Sequence, residues 1–415
     1  MPAGAARHTR GRDAHRIVAR TRTCRVVQLD VAMAEELSST RARATSSTTA
    51  VGFWAHLVGA PAANGFGSAT TGADVMALHD DQVRGKDVVV TGATSGLGKQ
   101  VAVTLCEHGA HVVLAVKERE KGERTKEWIV ERVPDAHVQA IECDLRSRES
   151  IERFADALRT KQGKLDVLVN NAAVCMCPFR TNEDGVEVQF ATNHLGHFHL
   201  TNLLLPLLEK GAEQSGCKSR VVNVTCSSHY FHYGENPRFQ IHAGIRFKYI
   251  GTPFDKMGHT PLYAYGQSKV ANILHAVELN RRLQAQGKSV VAVSVNPGFV
   301  LSTGIYQYLG WEKGSWQTSL SSWADYCFHG LGTCKTLEQG ISSILYCVVS
   351  PRIEELGGQY FADCNIGMHA KDARDESIAE LLWRESERWL GIHSPGVETL
   401  HGGTVEEAPQ AEELD

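Results

Sequence analysis

Between about residues 81 and 393, short runs rich in β-branched residues alternate with longer segments of helical pattern. Parallel strands need long crossover connections, so this alternation is typical of a mostly parallel sheet with helices on both faces. We predict strands at residues 88–90, 112–116, 138–141, 167–169, 221–224, 290–295 and 359–361. Helices fit between them, for example at residues 97–108, 148–161, 194–208 and 265–284. The predicted fold class is therefore α/β.

The first predicted strand leads directly into a glycine-rich loop, Thr91-Gly92-Ala93-Thr94-Ser95-Gly96-Leu97-Gly98, and then into a helix. Backbone N–H groups at the positive end of a helix bind phosphate, so this context predicts a dinucleotide pyrophosphate site. We expect Gly92 to permit the tight turn, Gly96 to permit close approach of a cofactor, and Gly98 to let helix and strand pack. A glycine loop alone is equally compatible with a plain turn. Its place in the strand order predicts a Rossmann-like, doubly wound parallel sheet in a single domain.

Tyr265 and Lys269 are four residues apart in a predicted helix. Residues at this spacing share a helix face, so the Lys269 ammonium can lie near the Tyr265 phenol and lower its pKa from about 10. Such a phenol can pass a proton to or from a substrate oxygen near neutral pH. With the glycine loop, the pair predicts nicotinamide-dependent carbonyl or alcohol chemistry; a core role for Tyr265 is the alternative.

Composition excludes several other classes of protein. A net charge of −4 over 415 residues gives no electrostatic reason to expect a nucleic-acid partner. The eleven cysteines are scattered and odd in number, which favours a reducing compartment over a disulfide scaffold. Cys175 and Cys177 form the one close pair, and His194, His197 and His199 lie near each other on a helix. Neither group has further ligands at suitable spacing, so we predict no metal site and assign the histidines to packing or capping.

Residues 1–50 differ from the central region. They hold nine arginines, no lysine, four acids and eleven serines or threonines. This bias is expected of a chloroplast or mitochondrial transit peptide, and equally of a disordered basic extension of a cytoplasmic or membrane-surface protein. Met33 is an alternative start that would remove most of the basic part.

Residues 51–80 carry little charge and are predicted to be a linker before a catalytic domain at residues 81–393. Polar residues and glycine interrupt the segment too often for a membrane-spanning helix. Its apolar side chains would contact either the body of the protein or, peripherally, a membrane surface; they are Phe53, Trp54, Leu57 and Val58. Residues 394–415 contain six acids and no lysine or arginine, and are predicted to be a disordered acidic tail.

The ordered motifs resemble those of the short-chain dehydrogenase/reductase family over roughly residues 82–392. Besides the glycine loop, they are Asn170-Asn171-Ala172-Ala173, Asn193-His194-Leu195-Gly196, Tyr265-x-x-x-Lys269 and Pro297-Gly298. The local sequence is similar to that of the retinol-dehydrogenase-like branch of the family. This branch includes WW-domain oxidoreductases, the X-linked dehydrogenase/reductase type and a translocon-associated dehydrogenase of the plastid inner envelope. The stretches that resemble the plastid type most are residues 65–68, 244–247 and 265–275.

The resemblance implies a role for each catalytic candidate. Tyr265 would act as general acid when a carbonyl is reduced and as base when an alcohol is oxidised. Lys269 would lower the Tyr265 pKa and hydrogen-bond the nicotinamide ribose. Asn193 would hold a water that relays protons between Lys269 and solvent, although it could instead cap or stabilise a helix.

The resemblance also implies the cofactor-binding residues. Asp144 would meet the adenine, although it could instead close a turn, while Pro297 and Thr303 would border the nicotinamide. The full set assigned to the cofactor is Gly92, Thr94, Ser95, Gly96, Leu97, Gly98, Lys117, Asp144, Asn171, Ala172, Tyr265, Lys269, Pro297, Gly298 and Thr303.

One position departs from the family pattern at the end of the fifth strand. Where the family usually has a serine that hydrogen-bonds the substrate carbonyl, this chain has Cys226, followed by Ser227. A thiol is a weak donor, and loss of one such donor can cost roughly 100-fold in rate. Ser227 could replace it only if the strand end bulges, because adjacent strand residues point to opposite faces. Both candidates stay open. Ala173, where the family usually has glycine, could crowd the backbone beside the cofactor.

Cofactor preference depends on the end of the second strand, where a carboxylate would bind the ribose 2′-hydroxyl of NAD and repel a 2′-phosphate. The chain has Val116 at this point, followed by Lys117, whose ammonium can meet a phosphate. This favours NADP(H) over NAD(H). The alternative is that Lys117 and Arg119 are simply solvated.

The substrate region is predicted in two segments, residues 230–261 and 304–336, that could form a lid over the site. The second is rich in large apolar residues: Tyr306, Tyr308, Leu309, Trp311, Trp316 and Trp323. These suit a hydrophobic alcohol or carbonyl such as a retinoid, an isoprenoid or a lipid aldehyde, or alternatively a membrane-facing or homo-oligomer patch.

Two functional hypotheses follow. The first is an NADP(H)-dependent oxidoreductase that interconverts a hydrophobic alcohol and its carbonyl. The second is a catalytically weak nicotinamide-binding protein that senses redox state within an organellar assembly of the plastid translocon kind. The presence of both Tyr265 and Lys269 favours the first hypothesis. Cys226 and the transit-like composition of residues 1–50 keep the second hypothesis open.

Overall fold

The computed structural model describes residues 62–233, 241–247, 250, 260–300, 302–305 and 334–392. The predicted extensions at residues 1–50 and 394–415 lie outside the described residues, as do Met33, Phe53, Trp54, Leu57 and Val58. The aromatic residues predicted for the second lid segment also lie outside them.

The described residues contain ten strands, and the seven predicted ones are confirmed. They are β1 (Asp87–Thr91), β2 (His111–Val116), β3 (His137–Glu142), β4 (Val167–Asn170), β5 (Ser219–Val224), β6 (Ile241–His242), β7 (Ile245–Arg246), β8 (Val290–Asn296), β9 (Tyr360–Ala362) and β10 (Asn365–Ile366). The main sheet has the order β10-β9-β8-β5-β4-β1-β2-β3, in which only β10 is antiparallel to its neighbour. β6 and β7 form a separate two-stranded hairpin.

The helices surround this sheet. They are α1 (Gly72–His79), α2 (Gly96–Glu107), α3 (Arg119–Arg132), α4 (Arg148–Lys161), the single turn α5 (Val188–Phe190), α6 (Gly196–Ser215), α7 (Pro261–Ala285), α8 (Leu337–Val349) and α9 (Glu376–Leu390). A π-helical turn over Ala191–Leu195 joins α5 to α6. No helix in the described part of the chain is both long and apolar enough to cross a lipid bilayer.

Alternation along β1 shows that the sheet is buried on both faces. Val88 and Val90 belong to a core that includes residues of α1, α2 and α8, whereas Val89 belongs to one that includes residues of α4, α6 and α7. All residues of β4, β5 and β8 are buried, while β3 at the sheet edge is only partly covered. The near-continuous valine runs therefore reflect burial on two faces, as predicted for a doubly wound sheet.

The segment before β1 corrects the linker expected at residues 51–80. In its described part, α1 begins at a capping box in which Thr71 and Asp74 satisfy each other's backbone N–H groups. Val75 and Met76 are fully buried in the core shared with α8. Low charge in this segment thus reflects packing against the domain, and the folded unit starts before residue 81.

Candidate active site

A cavity of about 670 Å³ lies at the carboxyl ends of the central strands. The strand order reverses between β1 and β4, which is where ligands bind in open α/β sheets. Every predicted site residue except Asn193 lines this cavity: Gly92, Thr94, Ser95, Gly96, Leu97, Gly98, Lys117, Asp144, Asn171, Ala172, Cys226, Ser227, Tyr265, Lys269, Pro297, Gly298 and Thr303. The fold thus brings together residues that are more than 200 positions apart in the chain.

The glycine loop is fitted to its surroundings at two positions. Gly92 has a φ of +66°, and a Cβ there would lie 2.8 Å from the Ala172 Cα. A Cβ at Gly98 would lie 2.4 Å from the Asn171 Nδ2 and 2.5 Å from the Gly92 carbonyl oxygen. Contacts this short exclude a side chain, so Gly98 lets α2 pack against the end of β1, as predicted.

The N-terminus of α2 opens toward the cavity. Ser95 is the N-cap residue, but among the described residues no side chain caps the helix, and its first turn contains no acid. Backbone N–H groups in this first turn lack intrahelical partners and carry the positive end of the helix dipole. The arrangement suits an anion such as pyrophosphate.

Thr91 holds the glycine loop against the loop that follows β4. Its hydroxyl oxygen accepts hydrogen bonds of 2.9 Å from the backbone N–H groups of both Asn171 and Ala172. The Asn171 side-chain amide donates in turn to the Thr91 carbonyl at 2.8 Å. Two walls of the cavity are therefore joined through one threonine that sequence reasoning did not single out.

The ring of His197 connects Thr91 to the π-helical turn. Its Nδ1 lies 3.0 Å from the Asn193 carbonyl oxygen and its Nε2 lies 2.8 Å from the Thr91 hydroxyl. Because a carbonyl can only accept, Nδ1 carries the proton and Nε2 accepts from Thr91. Burial lowers the pKa of His197 to about 4, so the ring is neutral at physiological pH.

The other two histidines of this region have different partners. His194 Nε2 lies 2.8 Å from the Ser386 hydroxyl on α9, and His199 Nε2 lies 3.4 Å from a Glu152 carboxylate oxygen on α4. Within the part of the chain that the structure describes, no cluster of three or more metal-ligating side chains is present. The three rings thus hold the π-helical turn and α6 against separate neighbours.

Tyr265 and Lys269 share the cavity-facing side of α7, as predicted. Both are buried, and the Lys269 Nζ lies 5.5 Å from the centre of the Tyr265 ring. The ammonium donates a 3.1 Å hydrogen bond to the Val224 carbonyl at the end of β5. Burial lowers the pKa of Lys269, although Cys226 and Cys175 act in the opposite direction.

Asn193 is fully buried in the π-helical turn and does not border the cavity. Its side-chain amide accepts from the Val174 N–H at 2.8 Å and donates to the Val174 carbonyl and the Ser268 hydroxyl, both at 2.9 Å. The side chain therefore ties the loop after β4 to α7, which is the structural role that the sequence left open. Its role in a water relay stays a prediction.

Cys226 lies next to the phenol, and Ser227 does not. The Cys226 thiol is 3.6 Å from the Tyr265 hydroxyl, while the Ser227 hydroxyl accepts a 3.0 Å hydrogen bond from the Asn296 side chain. Cys226 has an extended backbone with φ of −164°, so consecutive side chains point in opposite directions. The strand end does not bulge, and the thiol takes the position expected from the register.

Arg146 pairs with Asp144, and both residues line the cavity. The guanidinium donates to both carboxylate oxygens, with a shortest distance of 2.6 Å. Burial alone would raise the pKa of Asp144, but hydrogen bonds and charge attraction from Arg146 hold it below its ordinary value. The carboxylate is therefore ionised and already partly engaged before any ligand binds.

The end of β2 presents a cation to the cavity. Val116 is buried, and the next residue, Lys117, is exposed along the cavity wall. Among the described residues, no carboxylate forms an ion pair with Lys117, whereas nearby Lys121 lies 2.7 Å from Glu118. The Lys117 ammonium is thus available to an anionic ligand.

Three further residues at the site were not assigned from the sequence. Cys175 lines the cavity, Asn296 holds both Ser227 and the backbone N–H of Gly298, and His197 has the bridging role given above. None sits at a recurrent spacing from Tyr265 or Lys269, so only the fold reveals their positions. Ala173 is absent from the residues with positive φ, so replacing glycine there leaves no backbone strain.

Comparison with known proteins agrees with this geometry. A family model described as short chain dehydrogenase matches residues 86–236. The chain is 35% identical over 320 residues to short-chain dehydrogenase TIC 32 A, chloroplastic, of Brassica napus, covering 77% of this chain and 92% of that protein. It is 37% identical over 288 residues to human retinol dehydrogenase 11, covering 69% and 80% of the two chains.

Solved structures share the fold. A crystal structure of an uncharacterised protein from Mycobacterium paratuberculosis superposes with a TM-score of 0.55 at 29% identity, covering 76% of this chain and 98% of that chain. L-sorbose reductase of Gluconobacter frateurii superposes with a TM-score of 0.51 at 18% identity, covering 69% and 98%. From its motifs, its sheet order and these relatives, the chain belongs to the short-chain dehydrogenase/reductase family.

Proposed function

We propose that the chain is an NADP(H)-dependent oxidoreductase that interconverts a hydrophobic alcohol and its carbonyl. The observation that carries this proposal is the convergence of Tyr265, Lys269 and Cys226 at one end of a cavity whose other end is the open N-terminus of α2. Glycines that have no room for a Cβ shape the cavity wall at the start of α2. These features fit a dinucleotide, which when bound supplies or accepts the hydride.

The protein's own contribution is proton transfer and orientation. Tyr265 passes its phenolic proton to the substrate oxygen during reduction and takes it back during oxidation. The Lys269 ammonium stabilises the phenolate form because a nearby cation favours the charged state. Cys226 offers the substrate oxygen a thiol donor, which is weaker than a hydroxyl. We therefore expect a working but slowed reaction.

Preference for NADP(H) is supported by the end of β2. A buried Val116 stands where a carboxylate would bind the ribose hydroxyls of NAD, and Lys117, which forms no ion pair with any of the described residues, lies beside the cavity. An ammonium there attracts a 2′-phosphate and has no comparable partner in NAD(H).

A hydrophobic substrate is supported by the apolar part of the cavity lining. The apolar side chains that line the cavity include Val174, Met176, Val188, Phe299, Val300 and Ile305. Relatives named retinol dehydrogenase 11 and retinol dehydrogenase 14 fit the same class of substrate. The proposed substrates are retinoid, isoprenoid or lipid aldehydes and the corresponding alcohols.

The test follows NADPH absorbance with the full chain and a panel of retinal, isoprenoid and medium-chain aldehydes. Turnover that disappears in Tyr265→Phe, while NADPH binding persists, is the expected result. Turnover equal in the natural chain and Tyr265→Phe would contradict the assigned proton donor. A preference for NADH at equal concentration would contradict the cofactor assignment.

A second candidate function is a weakly active cofactor-binding component of a plastid assembly. The specific observation in its favour is Cys226 at the position of the substrate-binding hydroxyl, together with relatives named chloroplastic. This second function predicts that the natural chain binds NADPH but turns over no aldehyde in the panel, whereas Cys226→Ser does turn them over. Plastid location is tested with the full chain fused at its C-terminus to a fluorescent protein, beside a version that starts at residue 62.

A further inference from the structure

The loop that follows β8 forms part of the cavity wall. Residues 297–300 all line the cavity, and we call them the cavity loop. Gly298 has a φ of +84°, and its N–H donates a 2.9 Å hydrogen bond to the Asn296 side chain. A Cβ at Gly340 on α8 would lie 2.6 Å from the Val300 Cγ2, so α8 packs closely against the end of this loop.

Lys335 supports the cavity loop from outside the cavity. A Cβ at Gly298 would lie 2.7 Å from the Lys335 Cδ and 2.9 Å from its Cε, so the lysine stem crosses directly over the glycine. The Lys335 backbone N–H also donates a 2.8 Å hydrogen bond to the Phe299 carbonyl. Lys335 is buried and is not among the residues that line the cavity. It therefore contacts two residues of the wall without reaching a ligand in the cavity.

The Lys335 ammonium forms a buried ion pair with Asp363, in the turn between β9 and β10. This turn has two consecutive residues with positive φ, Asp363 at +52° and Cys364 at +60°. Turns of that kind favour asparagine and glycine. A cysteine in this conformation costs free energy, and such a cost persists only where the surrounding structure maintains it.

Neighbouring elements hold the strained turn in place. The Cys364 N–H donates a 3.1 Å hydrogen bond to the Ser343 hydroxyl on α8, and its carbonyl accepts a 2.9 Å bond from the Asn64 side chain. The Asn365 side chain donates to the Asp363 carbonyl at 2.7 Å. The turn is thus fixed to α8 and to the segment before α1, and it presents the Asp363 carboxylate to Lys335.

We propose that Lys335 is a positioning residue that holds the cavity loop in place through its pair with Asp363. The ion pair fixes the end of the lysine side chain, and the stem and backbone of Lys335 fix Gly298 and Phe299. This role rests on the proposed function, in which the cavity loop borders the nicotinamide. Because a displacement of about 1 Å can cost about 100-fold in rate, Lys335 affects the reaction without touching substrate or cofactor.

The first readout is hydrogen exchange of the full chain by mass spectrometry, which does not depend on catalysis. We expect faster exchange in peptides that cover residues 297–303 for both Lys335→Met and Asp363→Asn. Lys288→Met is the matched control. It removes a 2.8 Å ion pair with Glu209 just before β8, at the opposite end of that strand, and should leave the loop unchanged.

Lys335→Met leaves a buried carboxylate without its partner, which can itself prevent folding. The double variant Lys335→Met/Asp363→Asn leaves no buried charge and keeps the experiment decisive. Urea unfolding identifies the variants that are folded. Exchange equal to that of the natural chain in the folded variants would overturn the proposal.

The second readout is NADPH oxidation with an accepted aldehyde. We expect kcat to fall by about tenfold to 100-fold in Lys335→Met and Asp363→Asn, with NADPH affinity changed by less than about threefold. A residue that only stabilises the fold would leave kcat unchanged below the unfolding temperature, so an unchanged kcat would also overturn the proposal. If the natural chain reduces no aldehyde, the proposed function fails, and exchange alone then decides whether Lys335 holds the loop.

Discussion

The two ends of the cavity are built in different ways. The end where we propose that cofactor phosphate binds, the phosphate end, comes from one continuous stretch, β1 through α2. Its contacts are those of the backbone and of glycines with no room for a side chain. The end where we propose proton transfer, the proton-transfer end, is assembled from side chains on α7, the end of β5 and the π-helical turn. A continuous backbone site depends on steric fit, whereas an assembled side-chain site depends on the identity of its functional groups.

That contrast predicts which substitutions each end tolerates. At the phosphate end, adding one methyl group should weaken cofactor binding. The reaction rate should change only because less cofactor is bound. At the proton-transfer end, an isosteric change of functional group should alter rate while binding persists.

The largest effect is expected for Tyr265→Phe. Removing the phenolic hydroxyl deletes the proposed proton donor, so turnover should fall by about 100-fold to 10,000-fold. Fluorescence titration should show NADPH affinity within about threefold of the natural chain, since the ring itself is kept. Tyr263→Phe, an exposed tyrosine on the same helix, serves as the control and should retain full rate. Loss of NADPH binding in Tyr265→Phe would contradict the prediction that substitutions at the proton-transfer end change the rate and not the binding.

Cys226→Ser should act in the opposite direction. A hydroxyl is a stronger donor than a thiol, so aldehyde reduction should accelerate by up to about 100-fold, with little change in NADPH affinity. Ser227→Ala, whose hydroxyl faces Asn296, should change the rate much less. A rate unchanged or lowered in Cys226→Ser would show that the thiol is not a weakened substitute for serine.

Gly98→Ala tests the phosphate end. The added Cβ would lie 2.4 Å from the Asn171 Nδ2 and 2.5 Å from the Gly92 carbonyl, and such overpacking costs about 1–3 kcal/mol. We expect lower stability in urea unfolding and weaker NADPH binding, with little loss of rate at saturating cofactor. Gly163→Ala, where no atom lies within 4 Å of the new Cβ, is the matched control.

His197 joins the two ends, and its protonation should loosen both. Because its pKa falls from an ordinary value of 6.5 to about 4 on folding, the unfolded chain binds more protons between these values. The stabilisation is complete above about pH 6.5 and is lost as pH falls toward 4, at about 1.4 kcal/mol per pH unit for each such histidine. Urea unfolding at several pH values should show a shallower slope in His197→Gln. An equal slope would assign the effect to the other buried histidines.

The smallest effect is expected for Lys117→Ala. Loss of one exposed cation should reduce NADPH affinity by about fivefold to tenfold and leave NADH affinity unchanged. The difference should shrink at high salt, because exposed charges are screened. Lys121→Ala, where the ammonium already pairs with Glu118, should change neither affinity by as much. Equal loss for both cofactors would remove the argument for NADP(H) preference.

Local patterns predicted the fold well. Valine-rich runs marked β1, β2, β4, β5 and β8, because parallel strands buried on both faces need continuous apolar residues. The helix predicted at residues 148–161 matches α4, and α7 begins four residues before its predicted start, at Pro261. The linker predicted at residues 51–80 did not hold at α1. The few buried side chains of α1 are stabilised by packing against α8, which is far away in the chain. Neither residue spacing nor charge records such a contact.

For the site, the sequence by itself determined which groups we propose to act: the glycine loop, the Tyr265–Lys269 pair and the cation at Lys117. These follow from local geometry, since strand–loop–helix order and a spacing of four residues specify their own neighbours. Tertiary structure decided that Cys226 and not Ser227 meets the phenol, and that Asn193 holds the loop after β4 against α7. Those contacts join segments 19 to 75 residues apart, and only the packing of the sheet and its loops sets their distances.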